Sequence, residues 1–523
     1  MLFKSAEDRG QAAAIARLIY CNPFLPERLD CEKEALGDDY VPVDPAWHVG
    51  GDPPHGRANL VTLQRRAEEL AAAGRRRLGE QRGGAAPSAE ELAVYEDLVL
   101  YLLYYRHREV FEQLILAQPR KLSQTGLSQA FDKFVADVQH FFAPAGGAAV
   151  PFPEAIDPPH LFACFFQIRR AFFHIYNNIV GGSMPAARLR AAAWQSIFTH
   201  DMRRYRRVMF DRMTDITTLV TGPSGTGKEL VARAIGLSRY IPFDAKTKSF
   251  TEDFAGSFVA LNLSALSPTL IESELFGHRR GAYTGALEDR AGWLEVCPPL
   301  GTVFLDEIGE LDAAIQVKLL RVIQTRTFQR LGDTATRHFK GKIIAATNRD
   351  LGNEMASGSF RTDFYYRLCS DLIRTPTLRE QAAASQEELR SLILFITRRV
   401  IGEEGAAGLT EEVFEWIAGH LGPDYAWPGN FRELEQCVRN VLIRKEYHPA
   451  VAGSSSQADR LADDIGAGRL TADQLLRRYC SLVYSQTRNY EETARRLGLD
   501  RRTVKSKVTA AESPNDETRI TNE

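Results

Sequence analysis

Apolar residues recur along this chain in two different rhythms. Up to about residue 190 they fall at helical spacing, three and four apart. Ser88-Ala89-Glu90-Glu91 has the spacing of a capping box and opens a helix running through Leu98, Leu102 and Tyr105 toward Leu116. A Pro- and Gly-rich break at Ala143–Pro159 precedes a second apolar helix, Leu161–Val180, which carries Phe162, Phe165, Phe166, Phe172, Phe173 and Tyr176 and is stopped by Gly181-Gly182. From about Ala191 short apolar runs alternate with helical segments. The runs are Thr217–Thr221, Phe258–Leu261, Thr302–Leu305 and Lys342–Thr347, and their alternation with helices predicts a buried parallel sheet. Around Thr377 strands give way to about three helices ending near Arg444, with Thr410 expected to cap the one bearing Val413, Phe414, Trp416 and Ile417. Val451–Arg460, with its serine run, reads as a linker. The predicted division is a mainly helical region (1–190), an α/β domain (191–377), a helical domain (378–450), a linker (451–467), a small helical unit (468–510) and a polar tail (511–523).

Composition narrows the class. The 523 residues suggest three or four domains, and 44% hydrophobic with 25% charged residues is ordinary for a soluble globular protein. A formal net charge of −2 leaves no overall basic field, so any nucleic-acid contact must come from a local patch. Seven cysteines are scattered with no C-x-x-C pair, which points to reduced thiols and a cytoplasmic setting. Lys4, Glu7, Asp8 and Arg9 interrupt any signal-peptide core, and the most apolar stretch, Leu92–Tyr105, is short and carries Glu96 and Asp97, so no membrane contact is expected. The N-terminal pair Cys21 and Cys31 with His48 and His55 matches no metal-ligand spacing.

Two motifs carry nucleotide chemistry. Gly222-Pro223-Ser224-Gly225-Thr226-Gly227-Lys228-Glu229 follows a predicted strand and opens a helix. In that context glycines let backbone N–H groups converge on phosphate oxygens, the helix N-terminus adds positive potential, and Lys228 reaches the outer phosphates. Glu229 stands where a hydroxyl ligand to magnesium is usual. Thr302-Val-Phe-Leu-Asp306-Glu307 is an apolar strand ending in two carboxylates at the edge where ligands sit in open α/β folds. Asp306 is suited to a metal ion, and Glu307 to orienting an attacking water. Asn348, at the polar end of another apolar run, is either a water-positioning group or an ordinary turn residue. Arg361 and Arg367 are more than a helical turn apart with no partner in the phosphate loop; they are either surface arginines or charge suppliers across a subunit boundary.

Two further segments have no part in that chemistry. Glu272–Ala286, ESELFGHRRGAYTGA, ends in a Gly-, Ala- and Thr-rich loop with Tyr283 at its tip, built to touch another protein. Tyr490–Val504 reads as helix–turn–helix: Ala494 is small where helices cross, Gly498 makes the turn and Asp500 can cap the second helix. Arg501, Arg502, Lys505 and Lys507 lie on or near that helix and can meet DNA. A generic helical hairpin is the plainer alternative.

The collinear motifs GPSGTGKE, ESELFGHRRGAYTGA, VFLDEIGEL, QVKLLRVIQ, AATNRDL, FRTDFYYRL and WPGNFREL, between about Ala193 and Ala510, resemble the sigma-54-dependent transcriptional activators, the bacterial enhancer-binding proteins of the AAA+ ATPase class. The resemblance implies an α/β AAA+ P-loop domain with a parallel sheet plus a helical lid, and a C-terminal helix–turn–helix of Fis type. It implies ATP and Mg2+ as cofactors, a homo-oligomer from dimer to hexameric ring, upstream enhancer DNA, and sigma-54 RNA polymerase holoenzyme as the remodelled partner. On it Lys228 is the Walker A lysine, Asp306 and Glu307 the Walker B pair, Asn348 the sensor I residue, Arg361 and Arg367 the trans-acting fingers and Arg432 the sensor II residue. Glu229 is normal at its place. Asn262 restrains the catalytic glutamate, and Gly281, Ala282, Tyr283, Thr284, Gly285 and Ala286 form the sigma-contacting loop, with Tyr for the usual Phe. Asn430-Phe-Arg-Glu433 has capping-box-like spacing that puts Arg432 in a first helical turn. Lys246–Gly256 is longer than usual. An AAA+ remodeller of another target, or a DNA-binding protein whose ATPase only switches oligomer state, are the competing functions. The N-terminal region lacks the pattern of a phosphoryl receiver and is open to ligand sensing, partner binding or support of a ring.

Overall fold

A computed structural model describes residues 2–43, 58–80, 87–116, 124–143, 152, 155–252, 258–423, 425–449, 461, 464–466 and 468–511. His48, His55, the predicted linker Val451–Arg460 and residues 512–523 lie outside them. Two compact units emerge, Met1–Glu446 and Tyr447–Glu523.

The N-terminal part of the first unit is helical: α1 (Ala6–Leu18), α2 (Glu27–Leu36), α3 (Ala58–Glu80), α4 (Ala89–Leu116), α5 (Gln124–Phe142), α6 (Pro158–Asn178) and α7 (Met184–Phe198). The capping box at Ser88 forms, with the Glu91 N–H donating to Ser88 Oγ at 3.1 Å and the Ser88 N–H to Glu91 at 3.3 Å. Helix α4 is buried at Tyr95, Leu98, Val99 and Leu102, and α6 carries Phe162 and Phe166 into the same core. Helix α7, undivided by the sequence pattern, starts on a Ser183 cap.

The sheet is parallel, in the order β5–β1–β4–β3–β2, from β1 (Thr218–Thr221), β2 (Phe258–Asn262), β3 (Thr302–Asp306), β4 (Lys342–Thr347) and β5 (Asp371–Arg374). Four strands match the predicted runs. The fifth was illegible because it is an edge strand with one inward residue, Ile373, between exposed neighbours. Side chains alternate between faces. Leu219, Val303, Leu305, Ile343 and Ala345 meet helices such as Ala313–Thr325 on one side. Val220, Phe304, Ile344 and Ala346 meet α8 (Lys228–Gly236), α6 and α7 on the other. N-terminal helices therefore complete the core beneath the sheet.

The longer segment after residue 242 has a physical role. Phe243–Asp244 and Ser249–Phe250 pair as a short antiparallel hairpin. Phe243 packs at a tilt against Phe131 with ring centroids 4.6 Å apart, and Phe250 against Phe166 at 4.4 Å, so the hairpin plugs the α/β part into the N-terminal aromatic core.

Among the described residues of the first unit four helices, where about three were expected, follow the sheet: α9 (Leu378–Ala382), α10 (Gln386–Ile401), α11 (Ala406–His420) and α12 (Asn430–Arg444). Thr410 does not cap α11. The helix starts a turn earlier, and the buried Thr410 hydroxyl donates to the Ala406 carbonyl at 2.7 Å and pairs with Thr397 at 2.9 Å. In the second unit α13 (Ala472–Thr487), α14 (Tyr490–Leu497) and α15 (Arg501–Ala511) pack around Cys480, Ala494, Val504 and Val508. No helix among the described residues is long and apolar enough to cross a membrane.

Candidate active site

The glycine-rich loop joins β1 to α8. Gly222, Gly225 and Gly227 have φ of 147°, 77° and 87°, values side chains resist. Space forbids side chains too: a Cβ on Gly222 would stand 2.1 Å from Thr375 Oγ1, and one on Gly225 2.4 Å from the Gly429 carbonyl oxygen. Thr226 locks the loop by donating to the Pro223 carbonyl at 2.8 Å and pairing with Thr375 at 2.7 Å. Lys228, the first residue of α8, is buried, and its ammonium donates to the carbonyls of Gly222 at 3.0 Å and Pro223 at 3.3 Å. Glu229, at the rim of the cleft, is exposed and forms an ion pair with Arg233 at 3.2 Å.

Parallel register places the polar strand ends side by side, Asn262 opposite Asp306. Glu307 follows β3 in a left-handed conformation, φ 56° and ψ 51°, which costs a non-glycine residue about 1–2 kcal/mol. Its N–H donates to Asp306 Oδ1 at 3.1 Å and its carboxylate accepts from the Asn348 N–H at 3.2 Å, contacts that over-determine the strained turn. The Asn262 amide oxygen is engaged by the Ser264 N–H at 3.0 Å and hydroxyl at 2.8 Å. Burial, then Glu307, raises the Asp306 pKa, with Lys228 opposing; burial lowers that of Lys228, with Glu307 and Asp306 opposing. Cation and carboxylates thus share one poorly solvated cleft.

Helix α12 closes the cleft. Arg432 donates to Ser224 Oγ at 3.1 Å, the Phe431 N–H to the Gly225 carbonyl at 3.1 Å, and the Asn430 amide to the Ser224 carbonyl at 2.9 Å. The capping-box expectation for Asn430 fails. Gly429 precedes the helix and donates its N–H to Glu433 at 2.7 Å, while Asn430, at φ 50°, is a bridge whose oxygen accepts from the Leu378 N–H at 2.9 Å. Arg432 does fall in the first turn.

The cleft, of about 280 Å³, also takes Ile179 and Leu189 from around α6 and α7, and Ile396 and Arg399 from α10. These carry no motif; only the fold brings them to the loop. Arg361 and Arg367 do not line it. Both are exposed at the helix Thr362–Leu368, Arg361 in an ion pair with Asp363 at 2.8 Å.

The Gly281–Ala286 loop closes on itself, with the Gly281 N–H donating to the Ala286 carbonyl at 2.9 Å. Gly281 and Gly285 have φ of 80° and 104°. The Tyr283 ring packs edge-on against His278, centroids 5.1 Å apart, and Thr284 is exposed. In the second unit Gly498 turns at φ 64° and the Asp500 carboxylate accepts from the Arg502 N–H at 2.7 Å, capping α15. Arg502 and Lys505 are exposed, Arg501 pairs with Glu491 at 3.4 Å, and Lys507 is tied to Asp473. Among the described residues no cluster of His, Cys, Asp or Glu suits a metal by itself.

Residues 196–374 match the model of the Sigma-54 interaction domain. The chain is 42% identical over 232 residues to the Nif-specific regulatory protein of Klebsiella pneumoniae, covering 44% of this chain and 40% of that one. It is 38% identical over 304 residues to the transcriptional regulatory protein ZraR of Klebsiella oxytoca, covering 56% and 63%. The chain thus spans about half the length of the curated relatives it matches. The crystal structure of NtrX from Brucella abortus aligns over 74% of this chain and 80% of that one, at 23% identity and a TM-score of 0.38. With the phosphate loop, acidic strand end and docked lid inside or beside the matched segment, the chain carries the sigma-54 interaction domain and is a relative of the sigma-54-dependent activators.

Proposed function

We propose that the chain hydrolyses ATP in this cleft and uses the cycle to remodel sigma-54 RNA polymerase at promoters to which its second unit holds it. The observation that carries the reading is the convergence of a phosphate-type loop and Lys228 with Asp306 and Glu307 under the docked Arg432. The N–H groups of the Gly222–Gly227 loop and the start of α8 hold the phosphates, and Lys228 offsets charge on the outer ones. Glu307 orients and polarises the water whose oxygen bonds to the terminal phosphorus as the bond to the bridging oxygen breaks, leaving ADP and phosphate. Asn348 positions that water, and Asn262 restrains Glu307 until the terminal phosphate is read. Asp306 fits Mg2+: its half-buried carboxylate, beside Glu307, would gain from a cation, and the nucleotide's phosphates would supply further oxygen ligands. Held by Asp306, Mg2+ would offset phosphate charge.

Arg361 and Arg367, exposed and apart from their own cleft, serve the site of a neighbouring copy in a ring. The Gly281–Ala286 loop transmits the cycle to the polymerase. Arg501, Arg502, Lys505 and Lys507 meet upstream DNA.

Three variants test the reading. Lys228→Ala should abolish ATP hydrolysis in a phosphate-release assay; native turnover would remove the site. Thr284→Ala should keep that hydrolysis and lose open-complex formation; normal promoter opening would remove the loop's role and favour a remodeller of some other target. Deleting residues 468–523 should spare hydrolysis and end specific DNA binding.

A further inference from the structure

A second cavity lies within the N-terminal helical layer, and none of the functions above uses it. Its volume is about 140 Å³; an apolar protein cavity of about 150 Å³ holds one benzene molecule. Leu63, Tyr101, Tyr105, Phe165 and Trp194 are among its walls, so a flat ring would meet aromatic faces and edges. Two polar groups there lack ordinary partners among the described residues. The Tyr101 hydroxyl is buried beside the Tyr105 phenol and makes no hydrogen bond of ordinary geometry among the described residues. Arg108, one turn on at Tyr105's side of α4, lies over the Tyr105 ring at 5.9 Å rather than on a carboxylate. The other lining charges are paired: Arg28 with Glu32 at 2.8 Å, and Arg169 with Glu112 at 2.8 Å. Arg108 therefore leaves a net positive charge, and an unsatisfied buried hydroxyl favours a ligand that accepts its proton.

We propose that this cavity binds a single-ring aromatic carboxylate, the ring against Phe165 and Trp194 and the carboxylate between the Arg108 guanidinium and the Tyr101 hydroxyl. The same helices wall the candidate nucleotide cleft. Helix α6 lines the cavity at Phe165 and Phe172 and the cleft at Asn178, and α7 lines them at Trp194 and Leu189. Beyond α6 the Gly182 N–H donates to both oxygens of Glu388 on lid helix α10, at 2.8 and 2.9 Å. A ligand that fills the cavity stiffens α6 and α7 and tightens nucleotide binding. This coupling rests on reading the cleft as a nucleotide site.

The test is calorimetric titration of the full chain with benzoate, and with benzylamine as the cationic counterpart. One benzoate should bind per chain and benzylamine should not. Arg108→Gln, at a partly exposed position, should weaken benzoate at least tenfold, and Tyr101→Phe at least threefold without lowering the melting temperature. No saturable benzoate binding, equal affinity in both variants, or tighter binding of the amine would overturn the site. Saturating benzoate should also tighten a fluorescent ATP analogue at least threefold; an unchanged or weakened affinity overturns the coupling. A chain that binds benzoate and no nucleotide would refute the function proposed above and leave the cavity site standing.

Discussion

Asn430 bridges the glycine-rich loop and the helical lid, and its removal has a calculable cost. The side chain is 2% exposed and makes two hydrogen bonds of 2.9 Å, one to the phosphate-loop carbonyl of Ser224 and one from the Leu378 N–H at the start of the lid. Each such buried bond contributes about 1 kcal/mol net. The backbone sits at φ 50°, a conformation asparagine tolerates and alanine resists by about 1 kcal/mol. Asn430→Ala should therefore destabilise lid docking by about 3 kcal/mol, more than a hundredfold in the docking equilibrium. Asn430→Gly loses the same bonds without the backbone penalty, so it should cost about 2 kcal/mol. The Phe431 N–H, bonded to the Gly225 carbonyl at 3.1 Å, reports docking directly. Hydrogen exchange at that amide should accelerate in both variants, more in Asn430→Ala. Native protection of the Phe431 amide in Asn430→Ala would refute the bridge, and a slower exchange in alanine than in glycine would refute the backbone part of the cost.

Three other outcomes follow from the same geometry. Gly222→Ala puts a methyl 2.1 Å from Thr375 Oγ1 at φ 147°, so nucleotide affinity measured by fluorescence anisotropy should fall at least tenfold while the fold persists; retained affinity would mean the loop can shift. Thr410→Asp would be harmless at a helix cap but places a carboxylate inside the lid, so urea unfolding should show a loss of at least about 3 kcal/mol. Lys342 is fully buried, donates to the carbonyls of Met213 and Ile216 at 3.1 and 2.6 Å, and burial lowers its pKa to about 7. The unfolded chain binds the extra proton between pH 7 and its ordinary value near 10.5, so this group makes stability rise with pH across that window. Lys342→Met should flatten that rise in denaturation curves taken from pH 7 to 10; an unchanged slope would assign the pH dependence elsewhere.

Local chemistry was legible wherever a residue's role depends on its immediate neighbours. The glycines at 222, 225 and 227 adopt the positive φ their motif requires. The four apolar runs became strands, three of them central and Phe258–Asn262 at an edge, and the Ser88 and Asp500 caps formed, because a cap is an interaction within one turn. The errors came from residues whose partners are distant. Thr410 looked like a cap, but its position was decided by packing against Thr397. Asn430 looked like one too, and instead spans to residues 224 and 378. Edge strand β5 escaped because one inward side chain, Ile373, makes no pattern.

By itself, then, the sequence determined the conformation of the glycine-rich loop, the strand end that carries Asp306 and Glu307, and the turn residues, since backbone sterics and short-range hydrogen bonds dictate those residue types at those spacings. Only the tertiary structure decided which surfaces meet: that Ile179 and Arg399 wall the cleft, that a phenylalanine hairpin seats the sheet in the N-terminal core, and that Arg361 and Arg367 stand apart from their own phosphate loop. Apolar burial drives such contacts, and it is non-directional; one aromatic core position serves many partners, so the partner is chosen by how the whole chain packs.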